Sequence, residues 1–230
     1  GESGHGKTHV LLDFAFACAC GAVFADKFTV TRPLTVVYAA GEGVGGLTDR
    51  LRAVRQHYGA AADKAPVFIL TDVPQLFQLE TVNGALAFVT EWQRMAEAGA
   101  VPAAVDVLII DTLHTASAGA NENSAQDASI TQRSMRLLRD RLGCAVVLSH
   151  HANKAGTGER GTTALRATMD TVLRTQKTGE TFTCTCEKLK DGIPWVTQQF
   201  RLESSPDAVS VFVDWQGDAS SGYTASATRE

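Results

Sequence analysis

The first eight residues, Gly1-Glu2-Ser3-Gly4-His5-Gly6-Lys7-Thr8, satisfy the pattern G-x-x-x-x-G-K-[ST] at every fixed position. No other stretch restricts the fold as tightly. Glycines let a backbone close into a nest whose N–H groups point at phosphate oxygens, and a helix that follows adds the positive end of its dipole. The backbone from Gly1 through Ser3, Gly4, His5 and Gly6 would form that nest. Lys7 would reach the β and γ phosphates of a nucleoside triphosphate, and the hydroxyl of Thr8 would hold the bridging magnesium ion. A glycine-rich turn matching the pattern by chance is the competing explanation. Two further nucleotide-site elements, in the right order downstream, weigh against it. A loop of this kind hangs from a buried strand, and none precedes Gly1, so the chain is expected to be the interior of a longer polypeptide.

Beyond the loop, helical and strand patterns alternate. Residues 7 to 20 are apolar nearly all round, as in a helix sandwiched in a core, and Gly21 ends them. Leu34 to Ala40 reads as a buried strand that runs into Gly41-Glu42-Gly43. Residues 47 to 58 have helical spacing, Val67 to Leu70 form a short strand, and a third helix spans about Val82 to Ala98. Val105-Asp106-Val107-Leu108-Ile109-Ile110-Asp111 is an apolar strand ending in an acid, the Walker B form, which brings a carboxylate out beside the phosphate loop to orient magnesium. A carboxylate at a strand end also serves as a turn former or helix cap. Residues 114 to 124 are small and polar and predict a mobile loop. A helix over 125 to 141 then leads to the strand Cys144 to His151.

Strand–helix alternation of this kind makes the core α/β, a doubly wound and mainly parallel sheet with helices on both faces. The last third changes to successive strands near 171–175, 181–187, 195–202 and 208–214, expected to be an antiparallel C-terminal extension of the sheet. One domain over residues 1–215 is expected, followed by a disordered tail or linker over 216–230, rich in Gly, Ser, Ala and Thr.

Composition adds exclusions. With 44% hydrophobic residues, the 230-residue chain can bury a large core, and its formal net charge of -4 gives no overall basic character. Ring-shaped motors on DNA can nevertheless confine positive charge to pore loops. Cys18, Cys20, Cys144, Cys184 and Cys186 are odd in number and lack a C-x-x-C pair, so they read as reduced core thiols. No apolar run reaches membrane-spanning length, and a cytoplasmic protein with no membrane partner is expected.

With these residues on the page, residues 1 to 203 resemble the RecA-like ATPases, and within them the RepA-type hexameric replicative helicases of plasmids and phages. The resemblance rests on GESGHGKT, VVYAAGE, LIID, LSHHANK, RGTTALR and EKLKDG. It implies ATP with Mg2+ as the bound cofactors and Glu42 as the glutamate that activates water. A carboxylate at a strand end beside the phosphate loop suits a base, and it also suits a cap for the next helix. Arg50 matches a family arginine near the nucleotide, or is a solvated helix arginine. His150 and His151 stand at the position of the γ-phosphate sensor, with His150 preferred. Paired histidines also suggest a metal site, although strand neighbours point opposite ways and no third ligand is spaced nearby. Lys188 and Lys190 resemble the segment that puts positive charge into a neighbouring subunit's site. Their other reading is a solvated edge-strand face.

The resemblance further implies a homo-oligomer, a hexamer, that translocates on single-stranded DNA, with Lys154 and residues 114–124 and 152–160 lining the pore. A recombinase-like or KaiC-like ATPase, and an assembly or regulatory module with little turnover, are the alternatives.

Overall fold

The computed structural model describes residues 4–78, 81–121, 123–151, 164–195 and 197–219. Helix α1 (Lys7–Cys20) starts directly from the phosphate loop, with Gly6 at its N-cap in the left-handed region (φ 77°). It stops at Gly21, also left-handed (φ 64°), where the Ala22 N–H donates to Ala17 O at 2.9 Å. A small hairpin follows, β1 (Val23–Phe24) and β2 (Phe28–Thr29), in a region whose mixed sequence gave no strand signal.

The core is a four-stranded parallel sheet built from β3 (Val36–Ala40), β4 (Val67–Leu70), β5 (Val107–Asp111) and β6 (Ala145–Leu148), in the order β4-β3-β5-β6. Every residue of β3 and β5 is buried, because helices cover both faces. On one face α1 and α2 (Leu47–Tyr58) pack against Val36, Tyr38, Val107 and Ile109. On the other, α3 (Asn83–Glu97) and α5 (Ala125–Leu142) pack against Val37, Ala39, Leu108 and Ile110. Each of these large apolar side chains stabilises the fold by roughly 1.5–3 kcal/mol on burial.

Two expectations need correction. The segment from residue 114, read as a loop, opens with a short helix, α4 (Leu113–Ala116), whose Leu113 and Ala116 are buried in the sheet's second face. The C-terminal strands also do not extend the parallel sheet among the described residues. After a short helix, α6 (Ala164–Thr168), strands β7 (Thr171–Thr178), β8 (Thr181–Leu189), β9 (Gln198–Ser204) and β10 (Val211–Asp218) form a separate antiparallel sheet in the order β10-β9-β8-β7. Strand β10 continues through Asp218, so residues 216–218 are strand where a tail was expected. Residues 220–230 lie outside the described residues.

This second sheet supports the phosphate loop from below. The rings of Phe182 and Phe200 stack at 5.1 Å, and a Cβ at Gly6 would lie 3.1 Å from the Phe200 ring and 3.3 Å from that of Phe182. Gly6 is therefore required twice, for its positive φ and for the closeness of the rings. Phe200→Ala should cost about 3–5 kcal/mol in chemical denaturation. Because the lost ring underlies Gly6, nucleotide affinity should fall as well, and titration of the folded variant checks that second effect.

Candidate nucleotide site

The parallel pairing of β3 with β5 sets Ala40 opposite Asp111, and the Gly41 N–H donates to Asp111 O at 2.6 Å. The two strands thus end together, and the chain beyond each end turns over the start of α1. Strand ends at such a position are where open α/β sheets place their ligands.

Two of the expected groups, Thr8 and Asp111, meet here, joined by Tyr38. Thr8, in the first turn of α1, donates through Oγ1 to Asp111 Oδ2 at 2.9 Å. Tyr38, fully buried on β3, donates to the same oxygen at 2.8 Å. Asp111 is itself 2% exposed, and its Oδ1 is buried with no hydrogen-bond partner among the described residues. An orphaned carboxylate oxygen beside a threonine hydroxyl is a fitting oxygen donor set for a hard divalent cation, which keeps waters and takes its remaining ligands from phosphates. Thr8 and Asp111 are the residues that would hold magnesium.

A second chain of contacts runs above it. Lys7 Nζ lies 3.3 Å from His151 Nδ1, and His151 Nε2 faces Glu42 Oε2 at 3.6 Å. Thr112 Oγ1 donates to Glu42 Oε1 at 2.7 Å, and Thr115 Oγ1 reaches the same oxygen at 3.4 Å. The Glu42 side chain remains 41% exposed, open to water. Burial works to raise its pKa, but the Thr112 hydrogen bond and His151 outweigh burial and lower it. Burial, with Lys7 beside it, lowers the pKa of His151 against the pull of Glu42. Lys7 therefore faces a neutral imidazole, which presents its Nε2–H to the carboxylate. Glu42 held as an anion beside exposed solvent has the form a general base needs.

The sequence favours His150 as the sensor, and His151 is the histidine that stands beside Lys7 and Glu42. Strand β6 stops at Leu148, and the second histidine of the pair is the one carried between Lys7 and Glu42. No group of three or more His, Cys, Asp or Glu side chains is arranged to hold a metal among the described residues. Arg50 is half-buried and packs its guanidinium against Gly43 and Gly46, donating to Gly43 O at 3.3 Å. Burial lowers the His9 pKa, and the Arg50 charge adds to that shift.

Lys188 and Lys190 part company. Lys188 Nζ donates to Ala167 O at 2.8 Å and Arg166 O at 3.3 Å, meeting the last carbonyls of α6 within its own chain. Lys190 falls past the end of β8, in a turn, where its ammonium pairs with Asp170 at 3.4 Å. The shared strand face is thus lost, because β8 ends at Leu189, between the two lysines, and the pairing of β8 with β9 covers only Phe182–Cys184.

Gly4 and Gly6 hold positive φ in the loop, and His5 lies between them. Gly1, Ser3, Lys154 and the whole of 152–160 lie outside the described residues. Tyr38, Thr112 and Thr115 were not anticipated. A lone phenol in an aliphatic strand and a threonine directly after Asp111 were the available signals.

Fold and site together define a RecA-like P-loop ATPase. Residues 1–157 match a family model described as an AAA domain, and the chain belongs to that family. A comparison with curated proteins finds no match. Among solved structures, the crystal structure of the RadB recombinase is similar in fold, with a TM-score of 0.58 and 14% identity over 92% of this chain and 87% of that one.

Two outcomes follow from the geometry. Thr112→Val removes the shorter of the two hydrogen bonds to Glu42 Oε1, so turnover should fall roughly five- to tenfold, the worth of one hydrogen bond, with nucleotide affinity unchanged by titration. Both Glu42 and His151 have pKa values below their ordinary ones, so each stays in its basic form through neutral pH. Turnover should be level across neutral pH and decline only on the acid side, below the ordinary imidazole pKa of about 6.5. A rate–pH profile with its acid limb at or above that value would contradict this.

Proposed function

We propose that this chain is the motor domain of an ATP-hydrolysing DNA helicase that assembles as a ring, a hexamer, on single-stranded DNA. The single observation that carries the hydrolytic part is the run Lys7–His151–Glu42–Thr112 lying over the pair Thr8–Asp111. Lys7 and the loop amides hold the β and γ phosphates, and Arg50 lies at the rim of the same site. Magnesium supplies charge neutralisation on the phosphate oxygens when bound. Glu42 accepts the proton of the attacking water, and Thr112 fixes the oxygen opposite the one facing His151. His151 touches both the phosphate-binding lysine and the base, which suits a sensor of the γ phosphate better than His150 does.

The resemblance of GESGHGKT, LSHHANK and EKLKDG to the RepA-type helicases supports the translocating reading. Lys190, with a side chain 62% exposed, is the member of the lysine pair suited to reach a neighbouring subunit. Lys188 holds α6. A recombinase-like ATPase is the second reading, favoured by the likeness in fold to the RadB recombinase. A regulatory module with little turnover has no need of an exposed, ionised Glu42.

ATP turnover measured with and without single-stranded DNA, beside a duplex-unwinding assay and sizing with nucleotide, separates these readings. A helicase shows DNA-stimulated turnover, rings and strand separation, while stimulated turnover with filaments and no unwinding supports the recombinase. Glu42→Gln keeps the shape of the base but accepts no proton. That variant should bind ATP and retain it, with turnover reduced by about 10²–10⁴-fold. Normal turnover would move the base elsewhere.

A further inference from the structure

Strand β3 is Val36-Val37-Tyr38-Ala39-Ala40, buried throughout, and it carries one polar side-chain atom, the Tyr38 hydroxyl. A phenol buried at 0% exposure needs a hydrogen-bond partner, and its partner is Asp111 Oδ2 at 2.8 Å.

We infer that Tyr38 is a positioning residue for the metal-side carboxylate. It holds Asp111 turned so that Oδ2 accepts from Thr8 and Tyr38, leaving Oδ1 as the oxygen that would serve a cation. The inference rests on the nucleotide-site reading above and deepens it. Two donors, Thr8 and Tyr38, converge on Oδ2, while Oδ1 has none among the described residues. Those donors differ in kind. The Thr8 hydroxyl rotates and can give its lone pairs to a cation. The Tyr38 ring is fully buried in the core cluster that also holds Ile69 and Ile109, its register partners on β4 and β5, so its hydroxyl stays where β3 puts it. A carboxylate with both oxygens equivalently placed would sample rotations about Cβ–Cγ. Tyr38 selects one of them before the metal arrives, the role outer-shell partners play for metal ligands.

Tyr38→Phe removes one oxygen and keeps the ring that fills the core. With the intact protein, the affinity of Mn2+ for the ADP complex, read by electron paramagnetic resonance, should weaken roughly ten- to a hundredfold. The magnesium concentration for half-maximal turnover should rise in parallel. Magnesium-free ADP affinity and turnover at saturating magnesium should stay near wild type, a split that a merely structural role would not produce. Unchanged Mn2+ affinity in a variant that binds ADP normally would overturn the inference and leave the nucleotide site standing. Failure of the wild-type protein to bind Mn2+ with ADP would overturn both. Should Tyr38→Phe not fold, 3-fluorotyrosine in the wild-type chain gives a second test. Lines assigned to Tyr58 and Tyr223 by their own Phe variants leave the Tyr38 fluorine signal, which should shift when magnesium joins the ADP complex. A stationary line would overturn the inference.

Discussion

The parallel pairing of β3 with β5 is the constraint from which the site follows. Its register sets Tyr38 opposite Ile109 and Ala40 opposite Asp111, so alternate residues of both strands face α1 together. That face receives Thr8 from the start of α1, and the carboxylate of Asp111 emerges between a threonine and a tyrosine. One residue beyond each strand end, Gly41 and Thr112 leave the sheet side by side, which brings Glu42 onto the Thr112 hydroxyl. A slip of one residue would turn Asp111 to the α3 and α5 face and separate it from Thr8.

The second sheet reaches the same place chiefly by packing, with one hydrogen bond from Trp215 to Asp13. Its inner face, Phe182, Cys184, Phe200 and Val213, meets Val10 and Ala17 of α1 and seats the loop at Gly6 against two stacked rings. Asp13, buried in α1, ties the same helix to both neighbours by accepting from Tyr58 of α2 and Trp215 of β10, each at 2.8 Å. The helix that presents Lys7 and Thr8 is therefore held along its length by α2 and the second sheet.

Much of this was legible in the residues. Lys7, Thr8, Asp111 and Glu42 stand in patterns whose spacing is dictated by phosphate and cation chemistry, and each strand–helix alternation survives in the fold with ends shifted by a few residues. What stayed hidden has physical reasons. The choice between His150 and His151 depends on where β6 ends, and an apolar run does not mark its own last hydrogen bond. Tyr38 lies in a strand buried on both faces, where no alternation singles out an inward position. Lys188 and Lys190 have strand spacing, but β8 ends between them, and nothing local announces that α6 would take Lys188 for its carbonyls. The separation of the second sheet is set by packing between distant segments, which strand patterns alone do not encode.

The central claim is that one nucleoside triphosphate binds over the start of α1 with Lys7 on its phosphates and a cation on Thr8 and Asp111. Calorimetric titration of the full-length protein with a non-hydrolysable ATP analogue, with and without magnesium, in wild type and Lys7→Ala, tests it most directly. The account predicts one analogue per chain, tighter with magnesium, and loss of most affinity in Lys7→Ala while the variant melts as wild type does. Binding that is indifferent to both magnesium and Lys7 would contradict it.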